Sequence, residues 1–271
     1  MKKTISLLLL ALLSGCAPHI ERIDIAGSTT VLPIVQAEAE EYMNAHPAAA
    51  ISVRGGGSQV GITSIINGTI DIGIASRPVT SVEKTLAAEK GVKLIQATIA
   101  HDAVSVVVHK NNPVNNLSLA QLQSIFAGKL TNWMQVGGPD MAIAVISRDV
   151  SSGSFEVFSD VVLDSVRVVN SAMRLPSNNA VVSAISYTPG AIGYVGLGYL
   201  NSYLNALSID DSMPSVSSVQ DASYPLARPL FMITLASCSP ATREFIDFVL
   251  SASGQQIVAR QGYVPREEMQ Q

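Results

Sequence analysis

An α/β fold built on a mostly parallel sheet is predicted by three features of the sequence. Short apolar runs take turns with segments of helical periodicity, the order that builds strand–helix–strand units. Glycine and small hydroxyl residues gather at the junctions between them. The chain has 271 residues, 48% hydrophobic and 14% charged, so it can bury a large core as one domain or two, and a disordered chain is excluded.

The elements follow in order. "ERIDIAG" alternates Ile23 and Ile25 and breaks at Gly27, as a strand entering a turn does. In the helix expected next, Pro33 occupies the first turn, where its missing N–H costs nothing, and Ile34, Val35, Ala39 and Tyr42 form the apolar face. "ISVR" is a second strand, "GGGS" (Gly55 to Ser58) interrupts it, and "QVGITSIING" is a short helix closed by Gly68. "TIDIGIAS" is a third strand. "HDAVSVVVHKNNP", residues 101–113, is the most continuous β-branched run and ends in a turn signal, so it suits a crossing strand.

"MAIAVISR" is a strand that runs into "DVSSGS", and Phe155, Phe158, Val161 and Val162 mark one face of the helix beyond. "AIGYVGLGYL" is a strand with glycine breaks. "SVSSVQDASYP", residues 215–225, is polar and turn-rich and is expected to be a return linker. The last helix is capped by Ser239, has Pro240 at its first position, buries Phe245, Ile246, Phe248 and Val249, and is expected to run to Gly254. No sequence repeat of fixed period is present.

The first residues, "MKKTISLLLLALLSGCAPH", have two lysines, an apolar run too short to span a bilayer, and small residues before Cys16, the layout of a secretory signal. "LSGC" resembles the lipobox in which the cysteine is lipidated, so residues 1–15 are expected to be removed and 16–21 to form a tether. Cys238 is the only other cysteine, which leaves no partner for an intramolecular disulfide once Cys16 is modified. Net charge is −4, about −6 without Lys2 and Lys3, and no basic run occurs, which excludes nucleic acid as a partner.

Most enzyme chemistry is also excluded. His19, His46, His101 and His109 form no metal motif and have no cysteine neighbours; they are expected to be solvent-facing or capped. There is no nucleophile elbow, no phosphate-binding nucleotide loop, and "GYVGLGYL" has the wrong spacing for a dinucleotide turn. No cofactor or metal is expected. An enzyme acting on phosphate esters would need a metal cluster or an activated nucleophile, and the sequence offers neither.

What remains are three strand-to-helix junctions rich in small donors: "GSTT" (Ser28, Thr29, Thr30), "GGGSQ" (Ser58) and "SSGS" (Ser152, Gly153, Ser154). The first turn of a helix carries unpaired N–H groups and partial positive charge, and hydroxyls add donors, so such junctions hold anions. Each by itself is also an ordinary cap. Arg148, four residues before Ser152, serves either a surface ion pair or a planar fork for an oxyanion. In open α/β sheets ligands bind beyond the carboxyl ends of strands, where all three junctions lie.

With these residues in view, the sequence closely resembles the bacterial phosphate-binding proteins of ABC transporters, the PstS-like family. "GSTTVLPI", "RGGGSQVGI", "NGTIDIGIASRPV", "IFAGKLTNW", "GAIGYVGLGYL", "YPLARPLFMIT" and "SGQQIVARQGYVP" follow that family's order over nearly the whole mature chain. The resemblance implies a two-lobed periplasmic-binding-protein fold (Venus flytrap, type II) that closes over one phosphate. Lobe 1 would comprise residues 22–104 and 225–271, and lobe 2 residues 105–224. It implies ligand contacts from Ser28, Thr29 and Thr30, from Ser58, and from Arg148, Ser152, Gly153 and Ser154, the last replacing the family's threonine.

After "DIGIAS", well-known members carry an aspartate that accepts the proton of hydrogen phosphate; this chain has Arg77 there, as shorter members do. Ser76 and Arg77 are therefore expected either in the ligand shell or, for Arg77, in a structural ion pair. Asp149 and Asp71 are the other candidate acceptors, Asp71 being expected as a buried structural carboxylate. The function implied is an exported, lipid-anchored, monomeric receptor that binds inorganic phosphate and delivers it to an ABC permease. The alternatives are a receptor for another tetrahedral oxyanion such as sulfate or molybdate, and a surface adhesion or signalling protein.

Overall fold

The computed structural model describes residues 21–266; Cys16, the leader, His19 and all but the last residue of the expected tether lie outside them. Glu21 already pairs with Ala49, so the expected tether gives way there to sheet.

The first half of the chain alternates as expected: β1 (Glu21–Gly27), α1 (Leu32–Ala45), β2 (Ala49–Gly55), α2 (Ser58–Ile66), β3 (Ile72–Ala75), α3 (Ser81–Glu89) and the long β4 (Leu94–His109). There follow β5 (Asn116–Leu117), α4 (Leu119–Phe126), β6 (Ala144–Arg148), α5 (Gly153–Phe158), β7 (Met173–Leu175), α6 (Asn178–Ser186) and β8 (Ala191–Gly196). The chain closes with β9 (Leu204–Ala206), β10 (Ser208–Ile209), α7 (Val216–Gln220), β11 (Ala227–Leu235), α8 (Pro240–Leu250), α9 (Ala252–Arg260) and β12 (Val264–Pro265).

The main sheet runs β2-β1-β3-β11-β4-β8-β6-β7. β1 is parallel to β2 and β3, and β6 is parallel to β7 and β8, so each lobe has the parallel heart the pattern predicts. The two central strands, β11 and β4, are antiparallel to their neighbours. β4 pairs β11 up to Ala103 and β8 from Val104 onward, so one strand serves both lobes. Ile23, Ile25, Ile34, Val35 and Tyr42 pack one core with Phe245 and Val249; Val104, Val106, Phe126, Trp133, Phe158 and Tyr194 pack the other. Among the described residues no helix is long and apolar enough to cross a membrane.

Three sequence expectations are corrected. Residues 215–225 are not a linker. Ser215 and Ser218 cap α7 reciprocally, each side chain accepting the other's N–H at 3.1 and 3.0 Å, and Val219 and Tyr224 enter the second core. The serines that look like loop composition are a capping box. The C-terminal helix is two helices, because Ser251 ends α8 and caps α9. Gly254 lies inside α9, where a Cβ would press on the Val249 and Phe248 carbonyls. Finally, α5 passes into a π-turn at Ser159–Leu163. The extra residue rotates Val161 outward to 41% exposure and brings Leu163 inward beside Phe158 and Val162.

Candidate functional site

The three junctions meet between the lobes. β1 ends at Gly27, whose positive φ of 142° and close approach to the Ile74 carbonyl demand glycine. The chain then turns: Ser28 N–H donates to the Ile74 carbonyl at 2.7 Å and Thr30 N–H to Ser28 Oγ at 3.2 Å. Ser28 thus shapes the loop, and Thr29 and Thr30 present their hydroxyls. Ser58, at the start of α2, accepts Ser76 N–H at 3.0 Å, with Ser76 Oγ at 3.3 Å.

From the other lobe, Ser152 caps α5 by accepting Phe155 N–H at 3.4 Å, while Ser154 Oγ lies 3.3 Å from Thr30 Oγ1. The lobes are closed on each other here: Gln59 N–H donates to the Ser151 carbonyl at 3.2 Å. Gly153 is wedged against the opposite lobe, where a Cβ would collide with Ser58 Oγ and come within 2.7 Å of Ser76 Oγ. Nine of the ten expected binding residues, Ser28, Thr29, Thr30, Ser58, Ser76, Arg148, Ser152, Gly153 and Ser154, therefore converge, all at least nine-tenths buried, although Ser28 and Ser152 spend their hydroxyls on backbone.

Three buried arginines surround this cluster, and their charge balance differs. Arg228 is paired with Asp102 at 2.7 Å. Arg77 is paired with Glu83 at 2.7 Å and with Glu156. Arg148, only 1% exposed, makes none of the ion pairs among the described residues. Its Nε donates to the Leu175 carbonyl at 3.1 Å and its Nη2 to the Pro176 carbonyl at 3.0 Å and Thr29 Oγ1 at 3.2 Å, while Nη1 has no partner. Burial pulls this guanidinium below its ordinary range; Tyr194 and Asp149 oppose that shift and nearby Arg228 adds to it.

Arg77 takes the structural alternative. Its terminal nitrogens bind Glu83 and the Pro78 carbonyl, and its Nε faces Glu156, so its guanidinium is committed to carboxylates. Burial pushes the Glu83 carboxyl up, yet hydrogen bonds from Arg77 and from Thr80 N–H prevail and hold it below the usual carboxylate range. Glu156, pushed up by burial more than Arg77 pulls it down, stays above that range. Asp71 is corrected too: it is exposed and accepts Asp24 N–H at 2.8 Å. Asp149 accepts from the N–H and hydroxyl of Ser151. His109 is capped as expected, its Nδ1 accepting Asn111 N–H at 3.1 Å.

Several site residues escape sequence reasoning. Asn178, at the start of α6, donates to both Thr29 Oγ1 and Thr30 Oγ1 at 3.1 Å and accepts Gly196 N–H at 3.1 Å. Arg228 reaches Thr30 Oγ1 at 3.3 Å. Tyr199 and Tyr263 donate to the Thr29 and Thr30 carbonyls at 2.5 and 2.8 Å, and burial pushes the Tyr199 hydroxyl up to about 12. Arg228 and Asp102 do leave a signal: each is a lone charge in an otherwise apolar strand run.

A two-lobed α/β protein with a closed, donor-rich cluster between its lobes that holds one buried arginine outside the ion pairs of the described residues has the architecture of the periplasmic binding proteins. The PBP superfamily domain model matches residues 14–253. The chain is 32% identical to the phosphate-binding protein PstS of Borreliella burgdorferi over 97% of its own length and 99% of that protein's, and 33% identical to PstS of Bacillus subtilis over 90% and 81%. A solved structure from Clostridium perfringens, of a protein assigned to phosphate ABC transport with phosphate bound, superposes with a TM-score of 0.86 at 32% identity, covering 90% of this chain and 99% of that one. The chain belongs to the PstS-like family of phosphate-binding proteins.

Proposed function

We propose that this protein is an exported, lipid-anchored receptor that captures inorganic phosphate between its lobes and hands it to an ABC permease, with no covalent step. The observation that carries the reading is Arg148. A buried cation without a counter-ion costs several kcal/mol, and here the guanidinium with the unpartnered Nη1 donates to Thr29 Oγ1, next to Thr30, whose Oγ1 lies 3.3 Å from Ser154 Oγ. An oxyanion supplies the missing charge and accepts from all of them. The lobes proposed are 22–104 with 225–271, and 105–224; the change of β4's partner between Ala103 and Val104 supports that division.

Millimolar phosphate is expected to stabilise the protein by roughly 4 kcal/mol for a micromolar site, which is roughly ten degrees in melting temperature. Arg148→Ala should abolish both that shift and the calorimetric heat of binding. A parent protein that shows neither would overturn the reading. The anchor is tested separately: labelled fatty acid should enter the parent protein in cells and not Cys16→Ser.

A second reading, that sulfate or another fully ionised tetrahedral anion shares the site, is favoured by the carboxylates. Asp102 accepts from Leu197 N–H and Arg228, Glu83 from Arg77 and Thr80, and Asp149 from Ser151, so each already has donors of its own. Calorimetry with phosphate and sulfate at two pH values separates the readings, since only phosphate changes protonation near neutrality.

A further inference from the structure

We infer that Arg77 and Glu156 form a latch across the cleft that sets how fast the bound anion leaves; this rests on the receptor reading above. Arg77 follows β3 in lobe 1, and Glu156 lies in the first turn of α5 in lobe 2. Among the described residues theirs is the one ion pair that joins the two lobes, since Arg77–Glu83 and Arg228–Asp102, the latter between β11 and β4, both lie within lobe 1.

The lobe-1 half of the latch is built in advance. Glu83 caps α3, its Oε2 accepting Thr80 N–H at 2.9 Å, and it grips Arg77 through both oxygens at 2.7 and 2.8 Å. The Pro78 carbonyl holds Nη1 at 2.9 Å. With both terminal nitrogens engaged, Nε is left facing α5.

The lobe-2 half arrives with the binding residues. Glu156 N–H donates to the Ser152 carbonyl at 3.1 Å, so the turn that places Ser152, Gly153 and Ser154 also places Glu156. The stem of Arg77 packs beside Gly153, its Cγ 3.0 Å from where a Cβ would stand. Any movement that withdraws α5 from the anion cluster must break the Arg77–Glu156 pair and expose that stem.

The latch is graded for release. Glu83 already neutralises Arg77, and its charge repels Glu156, whose side chain keeps 35% of its surface in solvent. An Arg–carboxylate pair so placed is weaker than a fully buried one and stronger than a surface pair. Loss of such a contact acts on dissociation rather than association.

Glu156→Gln keeps the shape and removes the charge. Radiolabelled phosphate should leave the loaded variant about tenfold faster than the parent when chased with unlabelled phosphate, with the association rate unchanged. Arg77→Gln should also speed release, and adding Glu156→Gln to it should speed release no further, the signature of a coupled pair. Unchanged or slower release from Glu156→Gln, or a loss carried by association, overturns the latch while leaving phosphate binding intact. A parent protein that takes up no label overturns the receptor reading and the latch with it.

Discussion

Gly153 shows how narrowly single residues govern this cleft. It needs no special backbone conformation, since its φ is not among the positive ones, and as the first residue of α5 it would take alanine well on helix propensity. Space is what forbids it: an added methyl would enter Ser58 Oγ and come within 2.7 Å of Ser76 Oγ and 3.0 Å of Arg77 Cγ. Gly153→Ala is therefore expected to hold the lobes apart. Calorimetry should show phosphate affinity at least about a hundredfold weaker, while the ligand-free melting temperature moves by no more than an ordinary surface substitution of about 0.5 kcal/mol would move it. Residues of this kind were legible in the sequence because Arg148 and Gly153 stand at fixed spacing in one short segment. Arg77 was not, because a guanidinium goes to whichever anion the fold brings nearest, and Glu156 comes from the other lobe. Asn178 was hidden for a similar reason, since an asparagine at a helix start also serves as an ordinary cap.

At the scale of elements, α1 separates what periodicity discloses from what it does not. Its stripe of Ile34, Val35, Ala39 and Tyr42 is buried as the spacing predicts, yet Glu38 lies in the same face, 0% exposed, with neither carboxyl oxygen partnered. A binary pattern reads Glu38 as a solvent position, and only the packing of α1 against the sheet, α8 and α9 reveals otherwise. Burial pushes its carboxyl well above the ordinary range. The native state then keeps a proton that the unfolded chain releases near its ordinary pKa of about 4.3, so stability falls as pH rises from there toward the raised native value. Glu38→Met removes both the unsatisfied group and that slope. Thermal melts should show the variant more stable than the parent by roughly 1–3 kcal/mol at pH 5 and by a larger margin at pH 8. A margin that shrinks with rising pH would place the titration elsewhere. Periodicity is likewise blind to the π-turn after α5 and to the serine-built α7, because neither a one-residue shift in helical phase nor a capping box changes composition.

For the whole molecule, what ties the two lobes together is β4, which passes from β11 to β8, and a charge pair buried between β4 and β11 just before that change of partner. Asp102 sits one residue before the end of the β4–β11 pairing, and Arg228 is its direct partner in register. The carboxylate binds Nε and Nη2 of Arg228 at 3.0 and 2.7 Å and accepts Leu197 N–H from the second lobe at 2.7 Å; Arg228 in turn reaches Thr30 in the hydroxyl cluster between the lobes. β4, β11 and lobe 2 are thus joined through one carboxylate that no solvent reaches. Asp102→Asn keeps the volume and leaves Arg228 buried without a counter-ion, which in such settings costs about 3–5 kcal/mol. For a protein of this length that is a fall of roughly ten degrees in melting temperature. Added phosphate should recover part of it, because the anion would then lie near two uncompensated arginines, Arg148 and Arg228, in place of one. The variant should accordingly show a larger phosphate-induced shift than the parent protein, measured side by side in the same thermal scan. A variant that melts with the parent, or gains less from phosphate, would mean that Asp102 does not secure β4 to β11 and that Arg228 does not feel the anion.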